Sequence, residues 1–129
     1  MNSRDAILKR LETFAHQHGL CEKREHSFGS GENTTVFRNK SYSVTAAFIE
    51  YGTCLALEVA REEVIGGRLF TVVIPVAEFA RVSGDKAEWQ EHDEEFQMRI
   101  LESRTPTWFS GDHAIESRVH RSVRPSTIS

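Results

Sequence analysis

The chain reads as an α+β protein: an N-terminal helix, a meander of four or five antiparallel strands, and C-terminal helices packed on one sheet face. Three observations predict this. Residues 54 to 75, CLALEVAREEVIGGRLFTVVIP, form two β-type runs around Gly66-Gly67, and a glycine pair suits a two-residue hairpin turn. Residues 3 to 18 repeat apolar side chains at helical spacing. The apolar segments between 35 and 75 are joined by short connections, which favour antiparallel pairing.

In the first helix Ser3 caps the opening turn, Ile7, Leu8, Leu11, Phe14 and Ala15 recur at helical spacing, and Gly19 closes it. Ile7, Leu11, Phe14 and His18 share one face; Lys9, Glu12, Thr13 and His16 turn to solvent. Residues 22 to 28 suit a short edge strand, where charge is tolerated. Residues 35 to 39 and 42 to 50 are richer in strand-forming types, with Tyr42, Val44, Ala46 and Phe48 on one side.

With Gly66 and Gly67 as the loop, Ile65 lies opposite Arg68, Val59 opposite Ile74, Arg61 opposite Val72, and Glu63 opposite Phe70. Leu57, Val59, Phe70, Val72 and Ile74 then share a face, and a one-residue slip would move them all to the other side. The far face carries Ala47, Ile49, Cys54, Ala56, Ala60, Leu69 and Val73, more apolar than a fully solvated face. The C-terminal region or a second copy of the chain, as a homodimer, is expected to cover part of it.

Pro75 ends the last strand and opens a helix, VAEFARV, that stops near Ser83-Gly84. A second long helix is predicted over 86–103, with Trp89, Phe96 and Ile100 as its apolar stripe. Seven acidic residues against three basic ones between 81 and 103 make this the most negative predicted surface. Glutamates early in a helix also complement its dipole, so a solvated helix accounts for them too. Residues 1–103 are expected to form one domain. Residues 104–129, with four arginines against two acids, read as a basic tail. In it Ile115, Val119 and Val123 at four-residue spacing suggest a short helix, and the remainder is expected to be partly disordered.

A chain of 129 residues that is 39% hydrophobic suits one globular domain with a real core. Its formal charge of −3 argues against a surface that is basic all over. Two cysteines, Cys21 and Cys54, are too few for a disulfide framework. The first residues lack the apolar run of a signal peptide, and no segment is long and apolar enough to span a membrane. A cytoplasmic protein is expected.

Several residue groups carry side chains capable of chemistry. His16, His18, Cys21 and His26 are dense potential ligands. Residues two apart on a helix diverge, however, so His18 at a helix C-terminus beside a buried structural Cys21 is the simpler account. His92 with Glu88 or Glu95 has the spacing to share an ion or proton, as intrahelical pairs on any acidic helix do. Ser110-Gly111-Asp112-His113 lacks the strand-to-helix setting of a nucleophile elbow, and GSGEN lacks the Lys-Ser or Lys-Thr of a phosphate loop. No catalytic set, metal or cofactor is expected, which leaves a small enzyme or metal-binding protein as the third function class.

The element order of strands running into a helix at RLFTVVIPVAEFARV resembles the unit of the Whirly and PUR families of single-stranded DNA binders, over about residues 35 to 103. That resemblance implies nucleic-acid binding along the strands, through basic and aromatic side chains; Phe37, Arg38, Lys40, Tyr42, Arg61 and Arg68 are the candidates. The first expectation is nevertheless non-catalytic protein binding, as in small acidic inhibitors, immunity-type proteins or chaperones. Such a module would act through the acidic helix, with Glu88, Glu91, His92, Glu94, Glu95 and Glu102, or through the second sheet face.

Overall fold

The computed structural model describes residues 3–27, 33–49, 54–84 and 94–126. Helix α1 spans Ser3–Gln17, and five strands follow: β1 Glu22–Ser27, β2 Asn33–Arg38, β3 Tyr42–Ile49, β4 Cys54–Ile65 and β5 Arg68–Pro75. The chain continues through α2 Val76–Ser83, α3 Glu94–Arg104, the short α4 Pro106–Phe109 and a 3-10 turn at Ala114–Ser117 into β6 Ser122–Pro125. The strands lie in the order β1-β2-β3-β4-β5-β6, and each pairs antiparallel with the next. The fold is thus α+β with a pure meander, in six strands rather than four or five.

The central hairpin has the predicted register, including Ile65 opposite Arg68 and Val59 opposite Ile74. Gly66 and Gly67 hold φ values of 58° and 79°, the left-handed pair a two-residue turn demands. A Cβ at either position would meet nothing within 4 Å, so the preference for glycine there is conformational, not steric.

That register sorts the side chains. Phe37, Val44, Val59 and Ile74 form one buried row across β2 to β5, and Ala46 opposite Leu57 and Phe48 opposite Leu55 extend the same face. Against it pack Ile7, Leu11, Phe14 and Ala15 of α1, Val76, Phe79 and Ala80 of α2, and Phe96, Met98, Ile100 and Leu101 of α3. Each buried side chain of this size removes on the order of 2 kcal/mol of apolar exposure, so the helices are held to this face by its pattern alone. Phe96 and Ile100 are buried as the stripe predicts, whereas Trp89 and the predicted start of that helix lie outside the described residues.

The region expected to be a tail from residue 104 joins the fold. Trp108 is 1% exposed in the core, and β6 pairs with β5 through Val72 opposite Val123. The four-residue spacing of Ile115, Val119 and Val123 does not run as one helix, because the 3-10 turn stops at Ser117 and Val123 sits in β6.

One polar residue completes the sheet. Pro75 pairs with Glu58 and then opens α2, so β4 loses its β5 neighbour beyond that point. The freed edge is closed from α3: Gln97 accepts from the Leu57 N–H at 2.9 Å and donates to the Leu55 carbonyl at 2.8 Å. Its side-chain amide substitutes for a strand there, and it is buried at 2% exposure. Gln97→Leu should therefore destabilise the fold by about 1–3 kcal/mol for each backbone group left unpaired, despite matching the helix's apolar pattern. A lower denaturant midpoint, with an unchanged transition slope, is the expected readout.

Candidate functional site: the open face of the sheet

Side chains alternate along each strand, so the face away from the helices is as well defined as the core. One row crosses all six strands: Glu22, Arg38, Ser43, Ala60, Val73 and Ser122 are successive partners. The next row carries Val36, Thr45, Glu58 and Pro75, and beyond it Thr34, Ala47 and Ala56 align. The two central strands thus present Ser43, Thr45 and Ala47 beside Ala56, Glu58 and Ala60. All but Glu58 are small, and the flanking strands carry Val36 and Arg38 on one side and Leu69, Thr71 and Val73 on the other.

Small residues along the middle and larger ones at the sides make a trough. Two adjoining hollows, of about 590 and 440 Å³, lie on this face and share Ser43 and Ala60 as lining. The larger reaches Cys21 and the β2–β3 turn at Asn39 to Ser41; the smaller reaches Arg124 and Pro125 of β6. Glu58 is half-buried on the floor and makes no hydrogen bond or ion pair among the described residues; the same is true of Arg124 at the margin. Glu62 is engaged, receiving hydrogen bonds from Thr71 and Ser126. Beyond Glu62 the hairpin exposes Val64 and Leu69 on this face, at 68% and 39%, and Ile65 on the other, at 46%.

The expectation that the C-terminal region covers this face is not met by β6, which extends the sheet sideways instead. Both edges resist further strand pairing. β1, EKREHS, is exposed throughout and densely charged, and β6 ends in proline.

The sequence-predicted residues scatter. Of the acidic set, Glu95 and Glu102 both bind Arg10 of α1: Glu95 Oε2 accepts from it at 2.6 Å, and Glu102 accepts from Nε and a terminal nitrogen. Glu102, then Glu95, raises the Arg10 pKa further above its already high value. Glu94 is half-buried at the start of α3, and Glu88, Glu91 and His92 lie outside the described residues. Of the nucleic-acid set, Phe37 is buried on the helix side, where Tyr42 packs on Trp108 and Arg61 is tied to Glu116. Arg38 lies on the open face paired with Glu22, Lys40 in the β2–β3 turn, and Arg68 beside the hairpin loop. Arg38, Lys40, Tyr42 and Arg61 nevertheless all line the larger hollow, and Phe37 and Arg68 do not.

Nor do His16, His18, Cys21 and His26 converge. Among the described residues no group of three His, Cys, Asp or Glu side chains could hold a metal ion. His16 is exposed, His26 sits on β1, and Cys21 is exposed rather than buried. His18 stacks between Phe14 at 4.5 Å and Phe109 at 5.5 Å between ring centroids. Burial there lowers its pKa.

The most tightly organised polar group faces the helices. Arg61 donates to both oxygens of Glu116, at 2.6 and 2.5 Å, and the Trp108 indole N–H donates to the same carboxylate at 2.8 Å. Tyr42 Oη and His113 Nε2 lie 2.8 Å apart beside this group. Side-chain exposures of 11% for Arg61 and 8% for Glu116 make it a buried ion pair. Burial alone would raise the Glu116 pKa, but hydrogen bonds from Arg61 and Trp108 outweigh it and hold the carboxyl below its usual range. Every member of the Arg61–Glu116–Trp108 group is satisfied by another, which is the pattern of a clasp rather than of a reactive centre. Sequence reading missed it because its members lie up to 55 positions apart. The one available signal was an arginine on the core-facing parity of β4.

Comparison with protein-family models, curated proteins and solved structures finds no match to this chain.

The lowered pKa values of His18 and Glu116 set a pH dependence of the same sign. A depressed group stabilises the fold fully above its unfolded value and less as pH falls through its folded one. His18, lowered from 6.5, loses its contribution first on acidification, and Glu116, lowered from 4.5, loses it in more acid solution. Urea titrations from neutral pH downward should show both declines. His18→Leu should remove the first, and Glu116→Gln should reduce the second, to which Glu78 beside Arg81 also contributes, while costing about 3–5 kcal/mol at neutral pH, because the Arg61 charge stays buried without its counter-charge.

Proposed function

We propose that this protein is a non-catalytic protein-binding module whose partner docks on the open face of the sheet. The observation that carries the reading is the trough of small side chains on the central strands, uncovered among the described residues and running toward the exposed Val64 and Leu69 of the hairpin tip. Apolar exposure gathered at one end of a hollow is a feature of interaction surfaces. Charged and proline-bearing edges leave the face, rather than strand addition, as the route to a partner.

The acidic helix is the less favoured surface. Glu95 and Glu102 are already occupied by Arg10, so their charge is partly compensated within the chain. Nucleic-acid binding is less favoured, since Phe37 is buried in the core and Arg61, although it lines the larger hollow with Arg38, Lys40 and Tyr42, is already bonded to Glu116.

Co-purification from the source cells with nuclease present tests the reading. Wild type, Ala60→Arg and the pair Glu91→Lys with Glu95→Lys should be compared, after thermal melts confirm that each folds. A stoichiometric protein should accompany the wild type and the lysine pair but be lost from Ala60→Arg, whose long side chain fills the trough. Loss on the lysine pair with retention on Ala60→Arg would transfer the function to the acidic helix. Nuclease-sensitive absorbance at the nucleic-acid maximum, without a protein partner, would overturn the reading altogether.

A further inference from the structure

We infer that the occupant of the trough is an amphipathic α-helix of the partner, lying along β3 and β4 with a lysine or arginine at the middle of its buried stripe. This inference rests on the reading of the open face as the binding surface, and adds the shape and charge of what binds there.

Width is the first argument. The small residues belong to β3 and β4, and the larger ones that flank them belong to β2 and β5, which are three strand spacings apart. At about 4.8 Å per spacing the flanks stand about 14 Å from one another. An α-helix with its side chains is about 10–12 Å across, so it fits between them, whereas a single extended strand would leave much of the width empty.

The second argument is the floor. Ser43, Thr45 and Ala47 on β3 and Ala56 and Ala60 on β4 bring no bulk, so the backbone of an approaching helix can come close while its own larger side chains fill the hollow. From Ser43 to Ala47 the floor runs about 14 Å, the rise of roughly nine helical residues. A stripe at i, i+3, i+4 and i+7 therefore covers it.

Charge is the third. Glu58 is the one ionisable side chain among those floor positions, lies near their middle, is half-buried, and has no hydrogen-bond or ion partner among the described residues. Covering it with an apolar helix would strand a carboxylate, which is costly; covering it with a helix that supplies a cation would pair it. Arg124, also without a partner among the described residues, lies at the β6 end of the smaller hollow, where an acidic residue on the helix flank would meet it. Opposite unpaired charges at the floor and the margin define one orientation of the helix and disfavour its reverse.

The test uses the full chain and two displayed peptide libraries, each of about 16 residues, long enough for a marginal helix. One is built on an alanine-rich helical frame with an apolar stripe and a randomised central stripe position. The other carries prolines that keep it extended. Selection against the wild type should enrich the helical library, with lysine or arginine at the central position. The winners should bind Glu58→Lys at least about tenfold more weakly, bind Ala60→Arg not at all, and be replaced on Glu58→Lys by helices bearing glutamate or aspartate there. If extended peptides win and Ala60→Arg still blocks them, the helix inference is overturned and the open-face reading stands. Helices that bind through the trough with no dependence on Glu58 also overturn the inference. If no peptide is enriched, or binding ignores Ala60→Arg, both readings fall together.

Discussion

The strict alternation enforced by the β4–β5 turn is the constraint on which the rest depends. Two glycines at positive φ fix the pairing of Ile65 with Arg68, and from that pair every residue on β4 and β5 is assigned a side. The meander passes this assignment from strand to strand, so Phe37, Val44, Val59 and Ile74 become one buried row without any contact at the turn itself. Helices then gather on that face. The same alternation leaves the other face to Ser43, Thr45, Ala47, Ala56, Glu58 and Ala60, and hence creates the trough.

A second consequence concerns how the C-terminal residues are held. Arg61 has the parity of the core face but sits opposite Tyr42 at the very start of β3, one residue past the end of β2, where an unpaired guanidinium would be poorly placed. Glu116 answers it from the 3-10 turn, and Trp108 completes the carboxylate's hydrogen bonds. The fork of arginine against a carboxylate is directional, so it positions the 3-10 turn as well as neutralising charge. From there β6 is delivered to the free edge of β5, and the sheet ends in a short strand with a proline rather than in an open β5 edge. Long-range polar pairing thus supplies what four residues of strand could not hold by themselves.

How far the sequence was legible follows from the range of the forces involved. The α1 face, the β4–β5 register and the stop at Gly84 depend on neighbours within a turn or a hairpin, and local pattern reports them. The C-terminal region reads as a tail because its apolar residues are sparse; Trp108 and Val119 are buried through contacts with distant segments. Gln97 was invisible for a related reason. A polar residue in an amphipathic helix is ordinarily assigned to solvent, and only the loss of the β5 neighbour beyond Pro75 makes a buried amide favourable there. On the candidate surface, the apolar character of Ala47, Ala56, Ala60, Leu69 and Val73 was readable, but the trough was not, since its depth depends on which residues the register sets side by side.

The acidic helix and the open face illustrate the difference between charge counted along a chain and charge available at a surface. In sequence the stretch before residue 103 is the most negative part of the chain, yet Arg10, far away on α1, bonds both Glu95 and Glu102. A partner using those carboxylates would have to displace an intramolecular cation, so much of the Coulombic gain would be cancelled before binding began. Glu58 presents the opposite case. It is a single charge, unremarkable in composition, but no other described side chain pairs with it and small residues surround it. Its solvation is already reduced by partial burial, so an incoming cation gains more there than at an exposed glutamate. On the proposed reading, one half-buried carboxylate on a shaped floor, unpaired among the described residues, would therefore weigh more in partner choice than the two carboxylates that Arg10 already compensates.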